Sequence, residues 1–491
     1  MPTFLHLSDL HRYKADEVSN ATLINGLISD FQRVSREDRQ VGEPDGAVIS
    51  GDLVRGLAPG EPGYPDDLAG QYDQALEFLR TFTAEFFNGD AAKVVIAPGN
   101  HDVDWTQSKA AMVEVAEKEI AAQLKGDLEW ALESPEMGFR WDWKARKLMR
   151  INDARAYESR FRLYNETLGN FYRGAALPLP YDPTVGHRNH IFCDRRIVVT
   201  AFNSCDQNDC FNRTGHIRTE DIEQASIDCR SYETDLNIAV WHHDIEGNPR
   251  RSDYLDIDTV RRLIDRGYQL GLHGHDHKSS VSPVAISPVE RVTFASDEMV
   301  VIGAGSLGAD FTQLPPGHLR QYNVVILSED FRSGRVLVRE MEFPGIFQGR
   351  REIALTIPFG LKVRGRDQVV DASRSGGRAI SSVEQIDWLI VRGRFSEALS
   401  RLESEGVPDP YGRQLRLRAL MGAKYWQELV RAIGEPSSSS ELITLVQAYT
   451  KLREWGAAEG ALARARVSGI CSPGILTELE RRVSARRAIE Q

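Results

Sequence analysis

The chain has 491 residues, room for two to four domains at roughly 100–200 residues each. Its content of 41% hydrophobic and 27% charged residues excludes a fibrous or disordered polypeptide. No apolar run approaches the roughly 18 residues of a membrane span, and 60 Lys+Arg against 71 Asp+Glu give a formal charge of -11, which repels polyanions except where basic residues are concentrated locally.

In chain order, short β-branched runs predict strands at Thr3–Ser8, Ala47–Ser50, Lys93–Ala97, Arg196–Asn203, Asn237–Trp241 and Tyr268–Leu272. Antiparallel return strands are expected at Met299–Gly303, Tyr322–Leu327 and Val336–Glu342. The stretch from about 105 to 189 has a helical pattern without a convincing core strand and reads as an insertion. The five cysteines, Cys193, Cys205, Cys210, Cys229 and Cys471, are odd in number and lack a repeated spacing, so reduced thiols are expected rather than a disulfide framework or zinc ribbon. Met1 runs almost at once into the first strand with no charged leader, which predicts a cytoplasmic protein.

A Gly/Ser/Arg-rich linker is predicted at Arg364–Ser382. Beyond it the pattern is helical, and aromatics recur at Phe395, Trp426 and Trp455, 31 and 29 residues apart. That period resembles a degenerate tetratricopeptide-like array, with an irregular bundle as the alternative. The expected domains are 1–345, an α/β domain; 346–382, closing strands and linker; and 383–491, an α-helical repeat domain.

The predicted strands end in metal-ligand residue types. The first runs into Asp9-Leu10-His11, the second into Gly51-Asp52, and the third into Gly99-Asn100-His101-Asp102. Later strands end in His242-His243 and in Gly274-His275-Asp276-His277. Ligands of open α/β sheets bind beyond the carboxyl ends of the strands, so these segments should converge on one edge. Carboxylate, amide oxygen and imidazole together suit Mn, Fe, Zn, Co or Ni.

These motifs, D-x-H, G-D, G-N-H-D, H and G-H-x-H in that order, resemble those of the calcineurin-like metallophosphoesterases over about residues 1–345. The resemblance implies a two-sheet α/β sandwich and two divalent metal ions, Mn foremost. It puts one ion on Asp9, His11, Asp52 and His277, and the other on bridging Asp52 with Asn100, His242 and His275. His101 would be the catalytic histidine, facing the phosphate without binding metal.

The family often has Asp or Asn where Arg55 stands, a side chain that orients this histidine. Asp102 or Asp104 is therefore expected to replace it, or Arg55 to bind phosphate. His243 either contacts substrate or caps the turn, whereas His6 and His273 are expected to be satisfied core residues and His187, His190, His216 and His318 surface ones.

Within the insertion, Phe139–Arg173 is basic and aromatic. Trp141, Trp143, Arg146 and Arg150 are candidates for holding nucleic acid by phosphate pairing and base stacking. The helical spacing of Tyr157, Phe161 and Tyr164 equally fits the buried face of a lid helix.

The expected activity is phosphodiester hydrolysis, nucleic acid ahead of small or cyclic-nucleotide diesters. The helical tail is expected to bind a protein partner or another copy, without membrane contact. Resemblance to family members with helical extensions points to a nuclease effector of bacterial defence. The rival from another class is a metal-binding scaffold without turnover, acting through the tail.

Overall fold

The computed structural model describes residues 1–116, 138–246, 253–285, 298–357, 394–405, 411–436 and 439–468, except positions 233 and 311, with scattered positions elsewhere. The predicted linker at 364–382 and Cys471 lie outside the described residues.

The elements of the first part are β1 (Thr3–Leu7), α1 (Asn20–Glu37), β2 (Gly46–Ser50), α2 (Asp66–Phe87), β3 (Val94–Ala97) and α3 (Trp105–Ala110). The insertion continues through β4 (Met112–Glu114), β5 (Phe139–Asp142), β6 (Lys147–Ile151), α4 (Ala154–Glu158) and α5 (Arg162–Phe171). Then come β7 (His187–Phe192), β8 (Ile197–Phe202), α6 (Thr219–Arg230), β9 (Leu236–Val240), α7 (Ile257–Asp265), β10 (Leu270–His273), β11 (Ser280–Ala285), β12 (Glu298–Gly303), β13 (Gln321–Leu327), β14 (Ser333–Phe343) and β15 (Ile346–Thr356).

They build two six-stranded sheets, ordered β15-β14-β13-β1-β2-β3 and β11-β12-β10-β9-β8-β7. All nine predicted strands are present, but β12, expected as an antiparallel return strand, runs parallel to β10 and is antiparallel only to β11. Alternation along the strands sorts side chains between two cores. Phe4, Val48, Val95 and Ala97 pack against Val199, Ile238, Val240 and Leu272 between the sheets. Leu5, Leu7, Ala47, Ile49, Val94 and Ile96 point the other way, onto Leu23, Leu27, Phe78, Leu79, Phe82 and Leu168 of the helices. The Ser19 hydroxyl accepts from the Thr22 amide and starts α1. Both β1-β2-β3 and β8-β9-β10-β12 are parallel runs, so their carboxyl ends share one rim.

The structure corrects the helical reading of 105–189. A small sheet, β4-β6-β5, lies there, and β7 begins at His187. The small strands have three to five residues and pair only with one another, too short for alternation to register. Strand β7, HRNHIF, lacks an apolar run because His190 and Asn189 are buried through hydrogen bonds to the Ala92 carbonyl and the Thr200 hydroxyl. His187 is also buried, beside Asp228 at 3.2 Å, so it and His190 are not the surface residues expected.

Backbone contacts divide the chain into two compact units, Met1–Ala285 with Ala295–Lys362, and the remainder. The second contains α8 (Phe395–Glu405), α9 (Tyr411–Gly422), α10 (Trp426–Ile433), α11 (Ser439–Leu452) and α12 (Trp455–Ser468). Phe395, Trp426 and Trp455 each open a helix, and the residue before each donates its amide to a carbonyl five positions back: Arg394 to Leu389, Tyr425 to Leu420, Glu454 to Tyr449. Lys424 and Arg453 take the same left-handed backbone in the second and third of these turns. The four described cysteines before the tail are unpaired, and no helix among the described residues is long and apolar enough to cross a membrane.

Candidate metal centre

At the carboxyl rim the chain leaves each strand through a sharp turn. Asp9, His11, Asp52, His275 and His277 all have positive φ, from 43° to 76°, a region costly for residues with a Cβ and concentrated at functional sites. Gly99 is needed for close approach, since a Cβ there would lie 2.1 Å from Asp52 Oδ1.

The turns bring the seven candidate ligands into two groups that meet at Asp52. In one, Asp9 Oδ1 lies 3.2 Å from His277 Nε2 and 3.8 Å from His11 Nε2, and His11 Nε2 lies 3.8 Å from Asp52 Oδ2. In the other, His242 Nε2 lies 3.4 Å from Asp52 Oδ2 and 3.0 Å from Asn100 Oδ1, with His275 Nδ1 3.1 Å from the same amide oxygen.

The donors fit divalent cations. Asp9 Oδ1 is fully buried and accepts no hydrogen bond, a costly condition for a carboxylate unless a cation compensates it. Backbone carbonyls orient the imidazoles: His242 Nδ1 bonds to Ser50 O at 2.8 Å and His277 Nδ1 to Gln313 O at 3.0 Å. Each Nε2 is thereby turned to the centre as a lone pair. Burial disfavours a charged His242, yet the facing Asp52 raises it to about 9.

His101 adjoins the first group, its ring 4.9 Å from that of His11, and its amide donates to Asp52 Oδ1 at 2.8 Å. Its Nδ1 bonds to the backbone carbonyl of Arg55. A main-chain carbonyl thus orients the ring, and the side chain at 55 is irrelevant to that task. A Cβ on Gly56 would stand 3.0 Å from the His101 carbonyl oxygen and 3.3 Å from Nδ1.

The expected substitutes do other work. Asp102 accepts from the Leu53 and Gly99 amides, tying two site turns together. Asp104 caps α3 and accepts from the Tyr64 hydroxyl.

Several candidate contacts are corrected. The Arg55 guanidinium pairs with Glu61 at 2.6 Å and lies over Tyr13, so it is not a free phosphate ligand. His243 is buried, with Nδ1 on the Ser204 hydroxyl at 2.9 Å and Nε2 on Asn208 Oδ1 at 3.1 Å. Burial, with the neighbouring His275 and His242, keeps it well below the ordinary imidazole range, and it braces the turn rather than facing substrate. His6 and His273 are buried, on Ser50 Oγ and Gly274 O.

In the insertion Tyr157, Phe161, Tyr164, Phe171 and Tyr172 are core residues. Arg140 is buried against Asp209 at 2.6 Å. Trp141 and Trp143 meet edge to face at 6.1 Å across the β5–β6 turn that carries Arg146, and Arg150 lies on β6. Trp143 is 82% exposed. The basic aromatic surface expected over Phe139–Arg173 reduces to this hairpin, because the helical spacing of Tyr157, Phe161 and Tyr164 puts them on a buried face.

The residues that orient the ring nitrogens were not visible beforehand, since a carbonyl has no sequence signature. Ser306 braces the Asp9 turn, its hydroxyl donating to the Asp9 carbonyl at 2.8 Å.

Residues 2–279 match the sequence model of calcineurin-like phosphoesterases. The chain belongs to that family. This phosphoesterase is therefore a hydrolase of phosphoester bonds, in a family built on a dinuclear divalent metal site. No curated protein matches the sequence.

Solved structures similar to this phosphoesterase include PhoD, at 11% identity, TM-score 0.38, covering 72% of this chain and 69% of that one. A putative 5'-nucleotidase from Staphylococcus aureus aligns at 11% identity and TM-score 0.32, covering 73% and 55%. The NAD nucleotidase NadN from Haemophilus influenzae aligns at 10% identity and TM-score 0.31, covering 88% and 67%.

Proposed function

We propose that this phosphoesterase hydrolyses phosphodiesters at two divalent ions, one on Asp9, His11, Asp52 and His277, the other on Asp52, Asn100, His242 and His275. The observation that carries the reading is the pair of donor groups meeting at Asp52, with His101 beside them and its Nδ1 engaged by a carbonyl. When bound, such a pair supplies hydroxide near neutral pH and neutralises phosphoryl charge. With Nδ1–H given to Arg55 O, His101 has Nε2 available to carry a proton to the departing alkoxide. Ser50 O and Gln313 O keep His242 and His277 in the ligating orientation.

Two further observations support a diester over a monoester dianion. Arg55 is neutralised by Glu61, and acidic groups flank the centre: Asp253 lies 3.9 Å from His275 Nε2 and Asp310 accepts from Tyr13. Nucleic acid is the diester class in this proposal, with the Trp141–Trp143 hairpin as its outer contact. The recurring turns of the second unit support a tetratricopeptide-like module that binds a protein partner or another copy.

The test loads the full chain with Mn(II) and, in separate preparations, with Fe, Zn, Co or Ni, and compares a bis-aryl phosphate, an aryl phosphate monoester and a single-stranded oligonucleotide. The diesters should be hydrolysed faster than the monoester. A monoester preference would overturn the diester reading, and no turnover with any of the five metals would favour the scaffold.

A further inference from the structure

The segment 203–216 after β8 has no regular secondary structure over most of its length, yet it is pinned throughout. Asp209 Oδ1 accepts from the amides of Phe211 and Asn212, while Asp209 Oδ2 accepts from Arg140 at 2.6 Å and from the Tyr157 hydroxyl at 2.7 Å. Arg160, buried, donates to the carbonyls of Asn208, Tyr157 and Asp206. Asn208 Nδ2 donates to Thr214 O, and the Gly215 amide to Tyr254 O. Two arginines of the basic insertion therefore serve as anchors for this loop rather than as surface charge.

The loop presents one exposed cation, Arg213. Its guanidinium lies over the Trp105 ring at 4.6 Å, and the Trp105 ring lies 5.6 Å from that of His101, with Nε1 donating to Asn100 O at 3.2 Å. Arg213 has no carboxylate partner among the described residues. An arginine held over an aromatic ring keeps its donor fork open to a planar or tetrahedral oxyanion, and the contact lowers the entropy lost on binding.

We infer that Arg213 is a specificity-determining residue that holds a second phosphate of the substrate, on the leaving-group side of the scissile bond. The inference rests on the phosphodiesterase reading. His101 marks the leaving-group side because its Nε2 would carry the proton to the alkoxide, and Arg213 lies two ring contacts beyond it. A leaving group bearing its own phosphate, as in a polynucleotide, reaches this cation, whereas a simple aryl leaving group does not. Trp105 is engaged by both Arg213 and His101, so the feature this lip offers a substrate is the charge of Arg213.

The test uses the full chain with Mn(II), and in parallel with Fe, Zn, Co or Ni, on three substrates: thymidylyl-thymidine and its two derivatives carrying an added 5'- or 3'-terminal phosphate. The parent protein should favour one isomer over the unphosphorylated dinucleotide by roughly tenfold in kcat/KM, the scale of one charged hydrogen-bonded contact, expressed mainly in KM. Arg213→Ala and Arg213→Gln should each abolish that ratio, and Arg213→Lys should keep part of it. Equal kcat/KM for all three substrates in the parent would overturn the assignment, as would Arg213→Gln lowering all three by one factor, which is the signature of a merely structural role. Hydrolysis of a bis-aryl phosphate separates the two readings. If it proceeds while the dinucleotides are not discriminated, only the Arg213 assignment falls; if it is absent with every metal, the phosphodiesterase reading falls and takes the assignment with it.

Discussion

Five of the seven candidate ligands sit in left-handed backbone, at a cost of order 1–3 kcal/mol each that the rest of the fold must offset. Such strain persists where the surroundings over-determine it, and here each strained turn is held by main-chain bonds. The Asp9 amide donates to Gly51 O, the His11 amide to Asp52 O and the Gly308 amide to Asp9 O. Asp52 and His101 should separate in experiment. Asp52→Asn removes the charge at which the two groups meet and should lower metal affinity by more than the about 10–100-fold typical of losing an outer-shell partner, with activity falling in parallel. His101→Gln should keep both metals and lower kcat by about 10²–10⁴-fold, the range for a lost proton-transfer group. Metal analysis beside turnover checks both, and loss of metal from His101→Gln would make it a ligand instead.

At the scale of elements, a buried ion pair joins α1 to the first sheet. Asp30 accepts two bonds from Arg339 of β14, at 2.7 and 2.6 Å, and one from the Tyr322 hydroxyl of β13 at 2.7 Å. Burial by itself would raise the Asp30 carboxyl, but the bonds from Arg339 and Tyr322 outweigh it and hold the group below its ordinary 3.8. With the folded value depressed, the pair contributes its full stability above about pH 4 and loses it as pH falls through the folded value. Asp30→Asn leaves Arg339 buried without its counter-charge and should cost about 3–5 kcal/mol at neutral pH. The difference from the parent protein should narrow in acid. Denaturant midpoints at pH 7 and pH 3 measure both, and an equal difference at the two values would contradict the pairing argument.

For the whole molecule, the division into two compact units leaves every candidate ligand, His101 and Arg213 in the first. The chain ended after Lys362 should therefore still fold, bind metal and hydrolyse a bis-aryl phosphate with kcat/KM within about threefold of the full chain, the two units carrying separate cores. Metal-free or insoluble protein would show that the second unit completes the phosphoesterase core. Oligonucleotide cleavage by the full chain should fall with added salt, because a chain of net charge -11 can bind a polyanion only through local cations; a salt-independent rate would remove nucleic acid from the reading.

Much of this was legible before any coordinate. Asp9, Asp52, Asn100 and the histidines of the last two motifs announce themselves because ligand chemistry needs particular side chains, and because short β-branched runs mark the strands whose ends must carry them. The family follows from the same motifs, and the nine strands follow from short β-branched runs, continuous because the strands are buried on both faces. Exposure and main-chain partners are different, since they depend on which surfaces meet. Phe139–Arg173 reads as a basic aromatic patch, yet Arg140 and Arg160 turn inward onto a loop some fifty to seventy residues away in sequence. Arg55 stands where an orienting side chain was expected, yet the Arg55 carbonyl does the orienting, and every residue has a carbonyl. His243 sits beside a ligand in sequence but faces Ser204 and Asn208. The chemistry of the centre resides in side-chain identity and short-range order and is readable along the chain; which nitrogen faces the centre, which cations stay exposed and what braces the turns follow from contacts between segments remote in the chain, and only the folded molecule shows them.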